Sequence, residues 1–348
     1  MLVSNVIANL RHGLRALSGK GLVLGVLLAH VAPISAQERV QWTVVQPVLA
    51  SHYRVNVAGL FLEHLGQELG GSVQLHEATR ASGAPALAWS LANAPQQRSL
   101  VLISEELALI GDAATTSAQH LSHYAPLLMV LETRWCLFVP ANSPLLRADQ
   151  LLDWAKAQSQ PPRVAIPVIS GRMRLWVQGM VMRTDRAWQM QAYGIGGDVS
   201  QALRQGADVA LARCDPQWVN HSAMRVLAKG SESNDGFLSH IPLFTDLGWM
   251  PLGHGWLAWF APKSIPAAER DALAQVLYKI VQKPEVRRQL ETTQYFAGPY
   301  TPSASATYVD SFVQTWGRIG HLLLGQDFGK QDKMPHMAVP LKEHAVAP

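Results

Sequence analysis

The chain has 348 residues, 48% of them hydrophobic, with 29 Lys and Arg against 25 Asp and Glu. That length and apolar content give a proper core in one large or two medium domains and exclude a disordered or fibrous chain. Three basic residues, Arg11, Arg15 and Lys20, and no acidic ones fall in the first 36 positions, so the remainder balances at 26 minus 25, or +1. With no Lys/Arg run interleaved with aromatics, a nucleic-acid partner is set aside.

The three basic residues stand before a short apolar run, residues 21–31, that ends in Ala32-Pro33-Ile34-Ser35-Ala36. This is the layout of a signal peptide over residues 1–36, and the run is about half the ~20 apolar residues a spanning helix needs. No Cys stands beside the cleavage point, so the expected product is a soluble periplasmic chain rather than a lipoprotein. Residues 40–48 then predict a first strand. Val57, Phe61, Leu62, Leu65 and Leu69 follow at helical spacing, with Gly70-Gly71 as the stop. Residues 73–75 predict a second strand, 84–92 a helix and 99–104 a buried third strand. Such β-α-β-α-β order predicts a parallel, doubly wound α/β sheet with helices on both faces.

A long strand at 127–140, a helix at 149–157, a strand at 164–168, a helix at 175–182, a strand at 190–193, a helix at 199–205 and a strand at 208–212 make a second α/β unit. Cys136 and Cys214 sit in strand-like segments, either as a disulfide formed after export or as buried thiols. Residues 255–290 read as a buried strand, a turn and an amphipathic helix. Leu273, Val276, Leu277, Ile280 and Val281 form its stripe, with Ser264 as N-cap candidate and Pro266 in the first turn. Lys283-Pro284-Glu285 breaks that helix and starts a shorter one. Tyr308, Val309, Phe312, Trp316, Ile319 and Leu323 form the last apolar stripe, and 327–348 is expected to be a mobile tail.

Three segments carry a family likeness: YAPLLMVLETRWCLFVPANSPLLRADQLLDWAKA from Tyr124, AYGIGGDVSQALRQGADVAL from Ala192, and the run from IPLFTDLGW through WLAWFAP to the Pro-started helix. In colinear order and spacing they resemble the tripartite tricarboxylate transporter substrate-binding proteins, also called Bug receptors, over roughly residues 40–324. The resemblance implies a bilobal, type II periplasmic-binding-protein fold in which two α/β lobes, joined by two crossing segments, close on a small carboxylate without chemistry. Lobe one would comprise 38–137 plus 251–326 and lobe two 138–250. Stretches near 137–140 and 247–253 would act as hinges.

In such a fold the ligand lies outside the carboxyl ends of strands. The first loop there is Leu49, Ala50, Ser51, His52, Tyr53 and Arg54. The family carries Phe-Pro-Ala-Gly-Gly and a nearby Asp at this place, whereas this chain has Ser51 and His52 for the glycines and Val55 for the Asp. Ser104, with Ile103 and Glu105, follows the third strand. Ser170, Gly171 and Arg172 replace a Gly/Ser-rich run in lobe two, Tyr193 opens a glycine turn, and His254 and Trp256 start the last long strand. Arg54 and Arg172 are the candidates for bidentate carboxylate binding where bare glycine backbone is lost, against the alternative of solvated surface arginines. Ser51, Ser104 and Ser170 either contact ligand or cap helices.

Other chemistry finds little footing. Gly194, Gly196 and Gly197 lack the last glycine of a dinucleotide fingerprint, since Val199 stands there. His120 and His123 would share one face if that segment were helical, but no third ligand is spaced nearby. No catalytic residue, metal or cofactor is assigned. Two functions remain: a monomeric exported receptor that delivers a small organic anion to a membrane transporter or sensor, and an exported α/β enzyme using the same cleft.

Overall fold

The computed structural model describes residues 41–46, 56–77, 98–108, 123–167, 171–193, 198–232, 236–292 and 300–324. By internal contacts the chain divides into Met1–Arg39 and Val40–Pro348, and every described residue belongs to the second unit. The signal peptide, the helix expected at 84–92 and the tail from 327 lie outside the described residues.

The first α/β run comprises β1 (Gln41–Gln46), α1 (Val57–Leu69), β2 (Ser72–Glu77), β3 (Ser99–Ser104) and the single turn α2 (Glu105–Ala108). Helix α1 forms as its sequence dictates. The Asn56 side chain accepts from Gly59 N–H, Phe61 and Leu65 are buried on one face, and Gly70 ends the helix at φ 64°, a left-handed conformation suited to glycine. Two strands follow almost without interruption, β4 (Tyr124–Thr133) and β5 (Trp135–Pro140). The next elements are α3 (Leu151–Ala157), β6 (Arg163–Pro167), α4 (Gly171–Thr184), β7 (Gln189–Tyr193), α5 (Val199–Arg204), β8 (Val209–Arg213), α6 (Pro216–Val219) and β9 (Met224–Lys229). The chain closes with β10 (Gly255–Pro262), α7 (Ala267–Val281), α8 (Pro284–Glu291) and α9 (Pro302–Leu324).

Two five-stranded sheets result, ordered β2-β1-β3-β10-β4 and β7-β6-β8-β5-β9. Strands β1, β2 and β3 are parallel, as are β6, β7 and β8. Each sheet then takes in a crossing strand antiparallel: β10 between β3 and β4, and β5 between β8 and β9. The sheets are therefore mixed rather than wholly parallel as expected.

Three local expectations are corrected. The strand expected at 127–140 is two strands in two different sheets, with the crossing at Arg134, which belongs to neither. The expected hinge at 137–140 accordingly lies inside β5. Strand β9 was not anticipated, since Arg225 disturbs its pattern; its guanidinium reaches out to the carbonyls of Ser143 and Leu145, each 3.2 Å away. Helix α7 starts at Ala267 with Pro266, not Ser264, in the N-cap position.

One core cluster packs Phe61 and Leu65 of α1 and Leu277 and Ile280 of α7 on the first sheet. A second lies under α5 on the other sheet. The largest is shared by both sheets, since Val101 and Met129 of the first join Leu137 and Val164 of the second through Trp176, Trp249, Phe312 and Trp316.

Cys136 of β5 and Cys214, just past β8, form a disulfide with Cα atoms 5.1 Å apart, closing a sequence separation of 78 residues. Both are buried in the cluster under α5. In the chain-entropy account a loop of this length is worth about 4.5 kcal/mol. Replacing both cysteines with alanine should lower unfolding stability by roughly 2–5 kcal/mol in urea titrations, and thiol alkylation of the native protein should label nothing until reductant is added. A double variant as stable as the parent would show that the bridge constrains nothing.

Candidate functional site

The carboxyl end of β3 runs into α2 and that of β6 leads to α4, so the two helix starts come from different sheets. Side chains from them meet. Arg172, in the first turn of α4, is 0% exposed, and its Nη2 lies 3.2 Å from Oε1 of Glu105, the first residue of α2. Arg172 Nη1 donates to the carbonyl of Leu252 at 2.5 Å and to that of His254 at 3.3 Å. Rings close over the guanidinium, with Phe312 at 5.1 Å, Trp135 at 5.8 Å and Trp316 at 5.9 Å from Cζ to centroid. A cation so enclosed is tolerable only because it is paired and hydrogen-bonded, and removing one partner of such a pair costs about 3–5 kcal/mol.

Glu105 has a second donor, the backbone N–H of Trp256, 2.9 Å from Oε2. Gly255 makes room for it, because a Cβ at that position would fall 2.2 Å from Glu105 Oε1. Burial pushes the Glu105 carboxyl above its ordinary range, against the pull of Arg172 and the Trp256 N–H. The passage between the sheets is tied together by backbone. Gly230 N–H donates to Trp135 O at 2.7 Å, and Gly253 N–H donates to Gly230 O at 3.1 Å. Gly253 itself is at φ 68°.

A second buried carboxylate, Glu132, lies at the end of β4. It accepts from Arg134 Nε and Nη2 at 3.2 and 3.1 Å and from the Tyr300 hydroxyl at 3.1 Å. His254 Nδ1 is 3.2 Å from its Oε1, close enough for attraction although the angle is outside hydrogen-bond geometry. Burial pushes Glu132 upward, but His254, Arg134 and Tyr300 outweigh it and hold the carboxyl at about 2. Burial, then the Glu132 charge, raises the Tyr300 phenol, which stays a donor. The Tyr308 hydroxyl brackets the backbone of His254, accepting from its N–H at 3.0 Å and donating to its carbonyl at 3.2 Å.

Of the residues singled out from sequence, Leu49, Ala50, Ser51, His52, Tyr53, Arg54 and Ser170 lie outside the described residues. Ser104 is buried at the end of β3, and Gly171 is half-buried at the start of α4. Trp256 comes to Glu105 through its backbone, while its ring packs on Phe260 and Phe312. Tyr193 spends its hydroxyl on the Leu211 carbonyl at 2.7 Å. The structure thus brings Arg172 and Trp256 together and leaves Tyr193 in the sheet. Glu132, Tyr300 and Tyr308 were missed, although a Glu inside an apolar strand is a legible signal.

Beside the crossing segments lies a cavity of about 110 Å³ bordered by Ser231, Thr245, His254, Tyr308, Thr315 and Trp316. That is well below the ~300–1,000 Å³ of ordinary small-molecule sites. Among the described residues no group of three or more His, Cys, Asp and Glu could hold a metal, and no helix is long and apolar enough to cross a membrane.

Two mixed α/β sheets, each with its own helices and joined by two crossings, define a bilobal fold of the type II periplasmic-binding-protein class. No family profile matches the chain, and no curated protein does. Among solved structures it is similar to a periplasmic transporter protein, with TM-score 0.61 and 17% identity over 82% of this chain and 97% of that one. A TctC solute-binding protein from Polaromonas gives TM-score 0.64 and 15% identity over 82% and 99%. MatC from Rhodopseudomonas palustris, whose structure holds malate, gives 0.58 and 16% over 80% and 99%. The structural neighbours are thus solute-binding proteins of the TctC and Bug type, and at these identities the likeness fixes the fold.

The depressed Glu132 carboxyl has a measurable consequence. A fall from 4.5 to about 2 corresponds to about 3 kcal/mol of stability at neutral pH. Because the folded-state value is the lower one, this contribution is present above pH 4.5 and is lost as pH falls toward 2. Glu132→Gln should therefore be less stable than the parent at pH 7 by a few kcal/mol, and the gap should narrow on acidification through that window. Urea midpoints taken at stepped pH check this, and a gap independent of pH would contradict it.

Proposed function

We propose that the chain is an exported, periplasmic solute-binding receptor that closes on a small organic anion, a carboxylate, and presents it to a membrane transporter or sensor. The observation that carries the reading is the meeting of Glu105 and Arg172 from opposite lobes at the carboxyl ends of β3 and β6, the place where open α/β sheets receive ligands. Support comes from the neighbours in the same fold, one holding malate and another adipate. The lobes would be the segment before Arg134 together with the chain from residue 255, and the stretch between them. Residues 251–254 and the Arg134 crossing would carry the hinge motion. The ligand-contacting groups would be Arg172, Gly171, Ser104 and the Trp256 backbone, joined by residues 49–54 and Ser170. The signal peptide over 1–36 supplies the route of export.

The test is a thermal-shift screen of the mature protein against short di- and tricarboxylates, followed by mass spectrometry of the ligand after incubation. A receptor at about 100 times Kd gains about 2.7 kcal/mol and returns the ligand unchanged. Conversion of a ligand into product would instead favour an enzyme, and no shift with any carboxylate would retire the anion reading.

A further inference from the structure

The parts around Glu105 amount to a carboxylate seat. Arg172 supplies a guanidinium, the Trp256 N–H points at the occupant from 2.9 Å, and Gly255 withholds a side chain where a Cβ would strike the carboxylate. The Trp135 indole N–H borders the same space, since that Cβ would also lie 3.1 Å from Trp135 Nε1. The occupant is the chain's own carboxylate, which shares a lobe with Trp256 and faces Arg172 of the other. It fills the seat incompletely. Arg172 Nε and Trp135 Nε1 are both buried without a hydrogen-bond partner, so the two-pronged grip that a guanidinium offers a carboxylate is not realised.

We propose that Glu105 is an internal ligand: its side chain occupies a carboxylate-binding seat formed by Arg172 and the Trp256 backbone, and one carboxylate of a short organic acid binds there by displacing it. This rests on the receptor reading above for the solute's identity as an acid. Displacement exchanges one anion for another at the guanidinium, so the buried cation is not left unpaired, while Glu105 moves into water. A free carboxylate, unconstrained by a helix, can turn to engage Nε and Nη2 together and offer an oxygen to the Trp135 indole. Glu105 thereby sets selectivity. Neutral solutes cannot replace it, and an acid must out-compete a tethered carboxylate held at high effective concentration.

The experiment is chemical rescue. Glu105→Ala should unfold at lower temperature than the parent, and propionate should restore it by roughly 5 °C at saturation. Propionamide, which fills the same space without charge, and chloride at equal ionic strength should restore nothing. The parent should respond to propionate far more weakly. If Glu105→Ala accumulates poorly, Glu105→Gln keeps the size and an acceptor for the Trp256 N–H and is read the same way. A folded variant that ignores propionate, or that propionamide or chloride restores equally, overturns the proposal. Failure of the receptor reading looks different: the parent binds no solute in any screen, yet Glu105→Ala still takes propionate.

Discussion

A fully enclosed guanidinium at the junction of two lobes is the constraint on which the rest depends. An unpaired guanidinium at this depth is not sustainable. Its neighbours are arranged accordingly: Glu105 opposite, two backbone carbonyls of the second crossing beneath, and three aromatic rings around the rim. Each of these groups belongs to a different part of the chain. The identity of one side chain therefore fixes how α2, α4, the second crossing and α9 sit against one another.

The glycines of the crossings follow from that requirement. Residue 255 must lack a side chain for Glu105 to reach the Trp256 N–H, and residue 253 must adopt a left-handed backbone for the carbonyls of 252 and 254 to turn toward Arg172. Next to them Glu132 gathers Arg134, Tyr300 and His254 into a second ionic knot, which ties the end of β4 to the chain just before α9. The two knots share His254, whose carbonyl serves Arg172 and whose ring faces Glu132. Among the described residues, charge at the junction is thus balanced pairwise, with few hydroxyls and no exposed guanidinium taking part.

Much of this architecture was legible because hydrophobic periodicity reports burial directly. Strand β3 was read to the residue, and α1 was bounded correctly by its spacing and by Gly70-Gly71. The break at Arg134 was not, because apolar runs on either side read as one strand, and nothing local reveals that successive residues enter different sheets. Strand β9 was hidden by Arg225, whose reason for being there is a tertiary contact with the carbonyls of 143 and 145. For the site, residue type pointed to Arg172 and position pointed to Trp256. Only the fold shows that the tryptophan contributes its backbone and that the arginine already holds a carboxylate. Pairings of residues 67 apart, or of Cys136 with Cys214, are distance facts that sequence spacing does not encode.

The apolar cluster common to both sheets bears on kinetics. Trp176, Trp249, Phe312 and Trp316 belong to one continuous packing unit, so the lobes are not independent bodies on a polar hinge. Swinging them apart exposes aromatic surface at about 25 cal/mol for each Å². Excursions to an open form are then disfavoured. On the receptor reading proposed above, such a protein would behave less like a rapidly equilibrating buffer and more like a timed carrier, whose release would depend on whatever partner offset the cost of separating those rings.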